Sequence, residues 1–231
     1  MIRAAALLRC IRDAIKATSP YWKNFKCMEL QAWHTAQSHF SSFLGATMHL
    51  YGSYTSPFVR HCRIALLQYQ AKFKLIETDY QQSAAGSAAM RVPYFEHQDI
   101  KLHDSMSIIR FIRELHGHRM CETTAEYDLL LLVNTAIDST INLFLLEKSG
   151  VDIAANSYTQ RQSQRIQQCL EHFESAAEQL KWNDAGIRLA CYLDWVQYRQ
   201  RLDLRQYPAL IAWLEQAQQY PEFADTAPPA A

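Results

Sequence analysis

Between residues 48 and 63 the chain changes its period, and that change limits what it can fold into. Met48-His49-Leu50-Tyr51 alternates apolar and polar, the pattern of a half-buried strand. Gly52-Ser53-Tyr54-Thr55 is turn chemistry. Ser56-Pro57 then opens a helix: serine suits the N-cap, and proline is tolerated at the first helical position, where its missing N–H has no intrahelical partner. Val59, Cys62, Leu66 and Tyr69 recur at helical spacing. Phe73 to Thr78 reads as a second strand, so the segment forms a strand–helix–strand unit. Such a unit implies a parallel pair with a right-handed crossover. Ser56 therefore sits at the positive end of a helix, where unpaired N–H groups favour an anion. It reads either as a plain cap or as a hydroxyl facing a bound anion.

A second segment bears on that choice. Arg91-Val92-Pro93-Tyr94-Phe95 is a short apolar strand entered by a proline. The turn Gln98-Asp99, the strand Ile100-Lys101-Leu102 and a helix opening at His103-Asp104-Ser105 follow. Alone, Val92-Pro93 reads as an edge-strand proline and Asp104-Ser105 as simple N-capping. Together with Ser56-Pro57-Phe58, these segments resemble the glutathione S-transferase superfamily. The resemblance covers residues 48 to about 116, with Ser56, Val92-Pro93 and Asp104-Ser105 in the family's order and spacing. It is nearest to bacterial, serine-type, zeta-, theta- and omega-like members.

The resemblance implies a thioredoxin-like N-terminal domain of order βαβαββα with a mixed sheet, then an all-helical C-terminal domain. It implies that Val92-Pro93 is cis and that glutathione is the co-substrate. Ser56, Phe58, Arg91, Val92, Pro93, Asp104 and Ser105 are then the glutathione-binding residues. A cis X-Pro bond exposes the backbone of Val92 to the tripeptide. The Asp104 carboxylate pairs with the ligand's ammonium, and the Ser105 hydroxyl with its carboxylate. The thiol then falls near Ser56. One departure stands out. The family's usual Pro-x-Gly-Lys/Arg-Val-Pro run reads here Ala88-Ala89-Met90-Arg91-Val92-Pro93, without the glycine.

The chemistry implied is thiol activation. A free thiol has a pKa near 8.5, so only a few per cent is thiolate at neutral pH. Lowering it by about two units corresponds to roughly 2.7 kcal/mol of preferential stabilisation of the anion. Ser56 is the first candidate for the donating hydroxyl. Tyr51 and Tyr54 are alternatives, and also read as packing aromatics at a strand edge. Because residue 56 is serine, a mixed disulfide at that position is excluded, which favours conjugation over thiol exchange. Arg60 reads either as positive charge near the site or as a solvated helix residue.

Composition excludes several other classes. The 231 residues carry 23 basic and 23 acidic side chains, with no basic stripe of the kind that marks a nucleic-acid footprint. No uninterrupted apolar run approaches the roughly 20 residues that span a bilayer. Cys10, Cys27, Cys62, Cys121, Cys169 and Cys191 are scattered and form no CxxC, which fits a reducing, cytoplasmic setting. His116 and His118 lie close together, but no metal-ligand pattern surrounds them, and no metal is expected. Residues 1–47 read as an N-terminal extension outside the fold, with a basic, helical start at Met1 to Lys16 that resembles a transit peptide.

Residues 48–117 then form the glutathione-binding domain, Gly117 to Glu122 the linker, and 124–231 the helical domain. Tyr127, Leu130, Asn134, Ile137, Ile141 and Leu145 trace one face of a first long helix. Ile166, Leu170, Phe173, Ala177 and Leu180 trace a second. Residues 186–201 give a third, expected to start late with Asn183 or Asp184 as cap, because Lys181-Trp182-Asn183-Asp184-Ala185-Gly186 replaces the family's Ser/Thr-x-x-Asp box and looks shortened. Pro208 opens a last one. Asn134 and Asp138 are candidates for the electrophile pocket, with Asn142 beside them. The leading expectation is a homodimeric glutathione transferase acting on a small electrophile in detoxification. The alternative is a non-catalytic protein of the same fold acting through protein contacts, like the stringent-starvation proteins.

Overall fold

The computed structural model describes residues 46–229. The extension expected at 1–47 lies, apart from Ala46 and Thr47, outside the described residues. The first half runs β1 (Met48–Tyr51), α1 (Pro57–Gln68), β2 (Phe73–Ile76), α2 (Tyr80–Gly86), β3 (Tyr94–His97), β4 (Ile100–Leu102) and α3 (Ser105–Leu115). The second half holds α4 (Thr124–Lys148), α5 (Ser157–Ser175), α6 (Asp184–Tyr198), α7 (Pro208–Ala217) and α8 (Pro221–Ala224). The sheet order is β2-β1-β3-β4, with β1 parallel to β2 and the other pairs antiparallel.

Leu50 faces Leu75 on one side and Phe95 on the other. Met48, Leu50 and Phe95 meet Val59, Cys62, Ala65 and Leu66 of α1 and Ile108, Ile109 and Ile112 of α3 in one core. The predicted strand at Phe73–Thr78 ends at Ile76, and Thr78 turns its hydroxyl back onto the Ile76 carbonyl. β3 lies between β1 and β4, so Pro93 does not belong to an edge strand. It stands just before the strand, where its missing N–H removes no ladder bond.

The second core is helical. In α4, Leu130, Val133, Ala136, Ile137, Thr140 and Leu143 are buried, while Tyr127 is exposed. The core face is thus rotated from the one the spacing suggests, because α4 is apolar on most of its circumference. Among the described residues it is also the one helix long and apolar enough, by length and composition, to cross a membrane. Ala177 falls in a 3₁₀ turn after α5 ends, and Pro221 opens α8. Helix α6 begins at Asp184 with Asn183 as cap, its side chain accepting from the Gly186 N–H at 3.1 Å.

Helix α1 joins the two cores. Its face toward the sheet is apolar, and Arg60, His61 and Ile64 are buried as well. Arg60 is therefore neither a solvated residue nor a charge in the site. It pairs with Asp194 of α6, donates to the Phe223 carbonyl at 2.9 Å and lies 3.8 Å from the Phe223 ring. A helix wedged between two domains has no solvent face left for such a residue.

Beside it runs a buried polar chain. Arg113 of α3 grips Asp184, with Nη2 2.7 Å from Oδ1. The same carboxylate lies 3.2 Å from His61 Nε2, and His61 Nδ1 is 3.1 Å from Arg188 Nε. An arginine N–H can only donate, so Nδ1 accepts and Nε2 carries the proton donated to Asp184. A second imidazole proton would face the guanidinium. Burial and that cation together outweigh Asp184 and push the His61 pKa down to about 4. Asp184 is held well below the usual carboxylate range by His61 and Arg113, despite its burial.

An unfolded imidazole titrates near 6.5, so between pH 6.5 and 4 the unfolded chain binds a proton that the native chain refuses. Stability is expected to fall across that window by up to about 1.4 kcal/mol per pH unit, while the Asp184 contribution is lost only at lower pH. Urea melts at half-unit pH steps check this. His61→Gln lowers stability but flattens the dependence, and an unchanged slope in that variant contradicts the assignment.

Candidate functional site

The loop after β1 is held tight against α1. A Cβ on Gly52 would lie 2.3 Å from Val59 Cγ2, so only glycine lets the chain turn this closely. Ser53 and Thr55 bond each other at 3.0 Å within the turn. Ser56 caps α1, and its Oγ accepts from the Val59 N–H at 3.3 Å. That is a long bond by the usual N–H···O range. Capping uses a lone pair of the hydroxyl and leaves its proton to be donated. The two sequence readings of Ser56, cap and donor, are therefore compatible.

The two tyrosines differ. The Tyr51 hydroxyl donates to Glu96 Oε2 at 2.8 Å, and the ring stacks on Tyr94 at 4.3 Å. Burial and the Glu96 carboxylate push the phenol up to about 12. A proton held that way is poorly placed to serve a thiolate. Tyr54 is exposed, with the Arg63 guanidinium 5.2 Å from its ring centre.

A small cleft is walled by Phe58, Arg91, Val92, Pro93, His103, Asp104 and Ser105. All of these but His103 are glutathione-binding candidates named from the sequence. A larger depression of about 480 Å³ lies at the end of α6 and before α7, around Arg201 and Ile211, and holds none of them. The Val92–Pro93 bond is cis. Met90, which stands where the family pattern has glycine, holds φ +50° and is 63% exposed. The loop thus takes the left-handed conformation without the residue that favours it.

Asp104 caps α3, accepting from the Met106 N–H at 2.8 Å through Oδ1. Its Oδ2 meets Arg91 Nη2 at 2.8 Å. Arg91 Nη1 lies 3.8 Å from Asp138 of α4, so the helical domain reaches the same cleft. Burial raises the Asp138 pKa, and Arg91 opposes that rise. Asp138 is therefore tied to the Asp104 end of the cleft. Asn134, one turn earlier, has a buried Oδ1 with no partner among the described residues, and Asn142 is exposed.

Two residues of the site escaped the sequence reading. His103 bonds Ser87 across the cleft wall, Nδ1 to Oγ 3.0 Å. Arg188 donates from Nη2 to Ser105 Oγ at 3.1 Å from the far domain. Its signal was present: a lone arginine inside the apolar run Ile187 to Leu193.

Residues 50–120 match the family model of the glutathione S-transferase N-terminal domain. A search of curated proteins gives no match. Solved structures similar to this chain include a glutathione S-transferase from Methylobacillus flagellatus KT with glutathione bound, at 20% identity and TM-score 0.69, covering 79% of this chain and 100% of that one. Another is a glutathione transferase family member from Pseudomonas fluorescens Pf-5 with bound glutathione, at 20% identity and TM-score 0.70, covering 79% and 100%. A third, from Methylobacterium radiotolerans JCM 2831 in complex with glutathione sulfonate, has 19% identity and TM-score 0.70, covering 80% and 96%. The fold is that of the glutathione transferases: a thioredoxin-like domain with a mixed four-stranded sheet, followed by a helical domain.

Replacing Met90 by glycine is expected to stabilise the protein. Relief of the left-handed strain, about 1–2 kcal/mol, exceeds the entropy that glycine adds to the unfolded chain, about 0.5–1 kcal/mol. The net gain of about 0.5–1 kcal/mol is read as a higher urea midpoint at unchanged slope.

Proposed function

We propose that this protein is a serine-type glutathione transferase, a superfamily member that joins the glutathione thiolate to a small electrophile. The observation that carries the reading is one cleft walled by the cis Val92–Pro93 pair, Asp104, Ser105 and Phe58, the last from the helix that Ser56 caps. Support also comes from the three similar structures, whose ligands are glutathione or its sulfonate.

In this reading the tripeptide backbone lies along Val92. Its ammonium pairs with Asp104, and its α-carboxylate takes the Ser105 hydroxyl. The sulfur lies at the start of α1, where the Ser56 proton and the helix N-terminus favour the anion. The thiolate then attacks an electrophilic carbon. A C–S bond forms, and the leaving group departs with its electron pair or the adduct takes up a proton. Tyr51 is the weaker donor because its hydroxyl already donates to Glu96. Asn134 borders the second substrate, whereas Asp138 stays beside Arg91 at the Asp104 end. We place the enzyme in the cytoplasm as a homodimer with a role in detoxification.

One observation favours a second reading, a protein of this fold that acts through contacts instead of catalysis. Arg91 already occupies the Asp104 carboxylate, where a ligand ammonium must compete.

Calorimetric titration of the full chain with reduced glutathione separates the two. Binding in the micromolar-to-millimolar range is expected. Asp104→Asn keeps the cap but removes the charge, and should weaken binding by about tenfold or more. Ser56→Ala should leave binding nearly intact and lower kcat/KM toward an aryl halide by up to about 25-fold at pH 7, the fall in thiolate fraction when the thiol pKa rises by about two units to 8.5. A folded wild-type chain that binds no glutathione sinks the transferase reading. An unchanged rate in Ser56→Ala transfers the donor role to Tyr51 or Tyr54.

A further inference from the structure

Arg188 is fully buried, and no carboxylate bonds it directly. Nε donates to His61 Nδ1 at 3.1 Å and Nη2 to Ser105 Oγ at 3.1 Å. The Met106 sulfur lies 4.0 Å from Nη2, and the Phe58 ring centre 4.8 Å from the guanidinium carbon. Nη1 is buried with no hydrogen-bond partner among the described residues. All of these partners are neutral. Asp184, the nearest carboxylate along the chain of bonds, is bonded to Arg113 and His61.

Burying an ion costs several kcal/mol unless a counter-charge repays it. The sequence neighbours Ile187, Leu189 and Ala190 are fully buried too, so an apolar side chain would suit residue 188 on packing grounds alone. Two of the residues that Arg188 touches, Phe58 and Ser105, are walls of the cleft. The Asp104 and Asp184 carboxylates act on the guanidinium only through space, so an anion seated on Ser105 supplies a counter-charge within one hydroxyl of it.

We propose that Arg188 is a positioning residue for the α-carboxylate of an amino-acid-like ligand end, acting through Ser105. The inference rests on the glutathione reading and deepens it. Arg188 can only donate, so it takes one lone pair of Ser105 Oγ and turns the hydroxyl proton away from itself. That proton is then available to a ligand carboxylate. The buried guanidinium strengthens the contact through low-dielectric surroundings. Asp104, the adjacent residue, supplies the opposite sign for the ammonium. The two charges select a zwitterionic end: cation behind the wall, anion at the rim. The role belongs to the helical domain, since Arg188 lies on α6.

The test compares reduced glutathione with an analogue whose γ-glutamyl unit is replaced by 4-aminobutyryl, which lacks only the α-carboxylate. Both are titrated calorimetrically into the full-length wild type and Arg188→Met. The wild type should prefer glutathione by about a hundredfold, and the variant by about tenfold or less. The change should come from weaker glutathione binding, with affinity for the analogue within about twofold of wild type. A merely structural role weakens both ligands alike, and an unchanged preference in a cooperatively folding Arg188→Met overturns the proposal. Should that variant fail to fold, the wild type provides its own readout. The Arg188 guanidinium ¹⁵N resonance should shift with glutathione and not with the analogue, and equal shifts overturn the proposal. A wild type that binds both peptides equally refutes this inference alone. A wild type that binds neither removes the glutathione reading and this inference together.

Discussion

The arrangement depends on how α1 is enclosed. Its sheet-facing side chains, Val59, Cys62 and Leu66, pack in the first core, and its opposite side faces α6. That opposite side carries Arg60 and His61, so polar groups are buried where the domains meet. Such groups are tolerable only when each has a partner. Asp184 gathers Arg113 and His61, and Asp194 takes Arg60. Removing Asp184 leaves both Arg113 and His61 without their shared carboxylate. The domain junction is thus specified by directional contacts, which fix the angle at which α6 meets α1 and α3.

The candidate site inherits its rigidity from that junction. Ser56 heads α1, and Asp104 and Ser105 head α3, the two helices the polar chain ties to α6. Two helix N-termini therefore open near one cleft, both capped by side chains that retain further bonding capacity. Ser56 keeps its proton, and Asp104 divides its oxygens between the Met106 N–H and Arg91. Capping and ligand recognition draw on the same residue types because both satisfy unpaired N–H groups or offer polar atoms at a helix start.

The helical domain contributes more than cover. Asp138 reaches Arg91 from α4, and Arg188 reaches Ser105 from α6. Both contacts fall on residues that the N-terminal domain presents to the cleft. The electrostatics of the cleft thus belong to two domains, although the matched family model spans only residues 50–120.

The sequence by itself determined the order and type of the N-terminal elements and the caps at Ser56 and Asp104, and narrowed the cap of α6 to Asn183 or Asp184. Those features are local: period, capping chemistry and an X-Pro pair are written within a few consecutive residues. The tertiary structure decided the rest. Arg60 reads either as charge near the site or as a solvated helix residue, and is buried because another helix covers that face. The core face of α4 was ambiguous because nearly every side of it is apolar, and only its neighbours choose one. Met90 keeps a left-handed backbone that its side chain does not favour, since the surrounding loop imposes it. Arg188 lies 83 residues along the chain from Ser105, a separation no local pattern spans. Its role follows from burial and partnership, which exist only once the two domains have met.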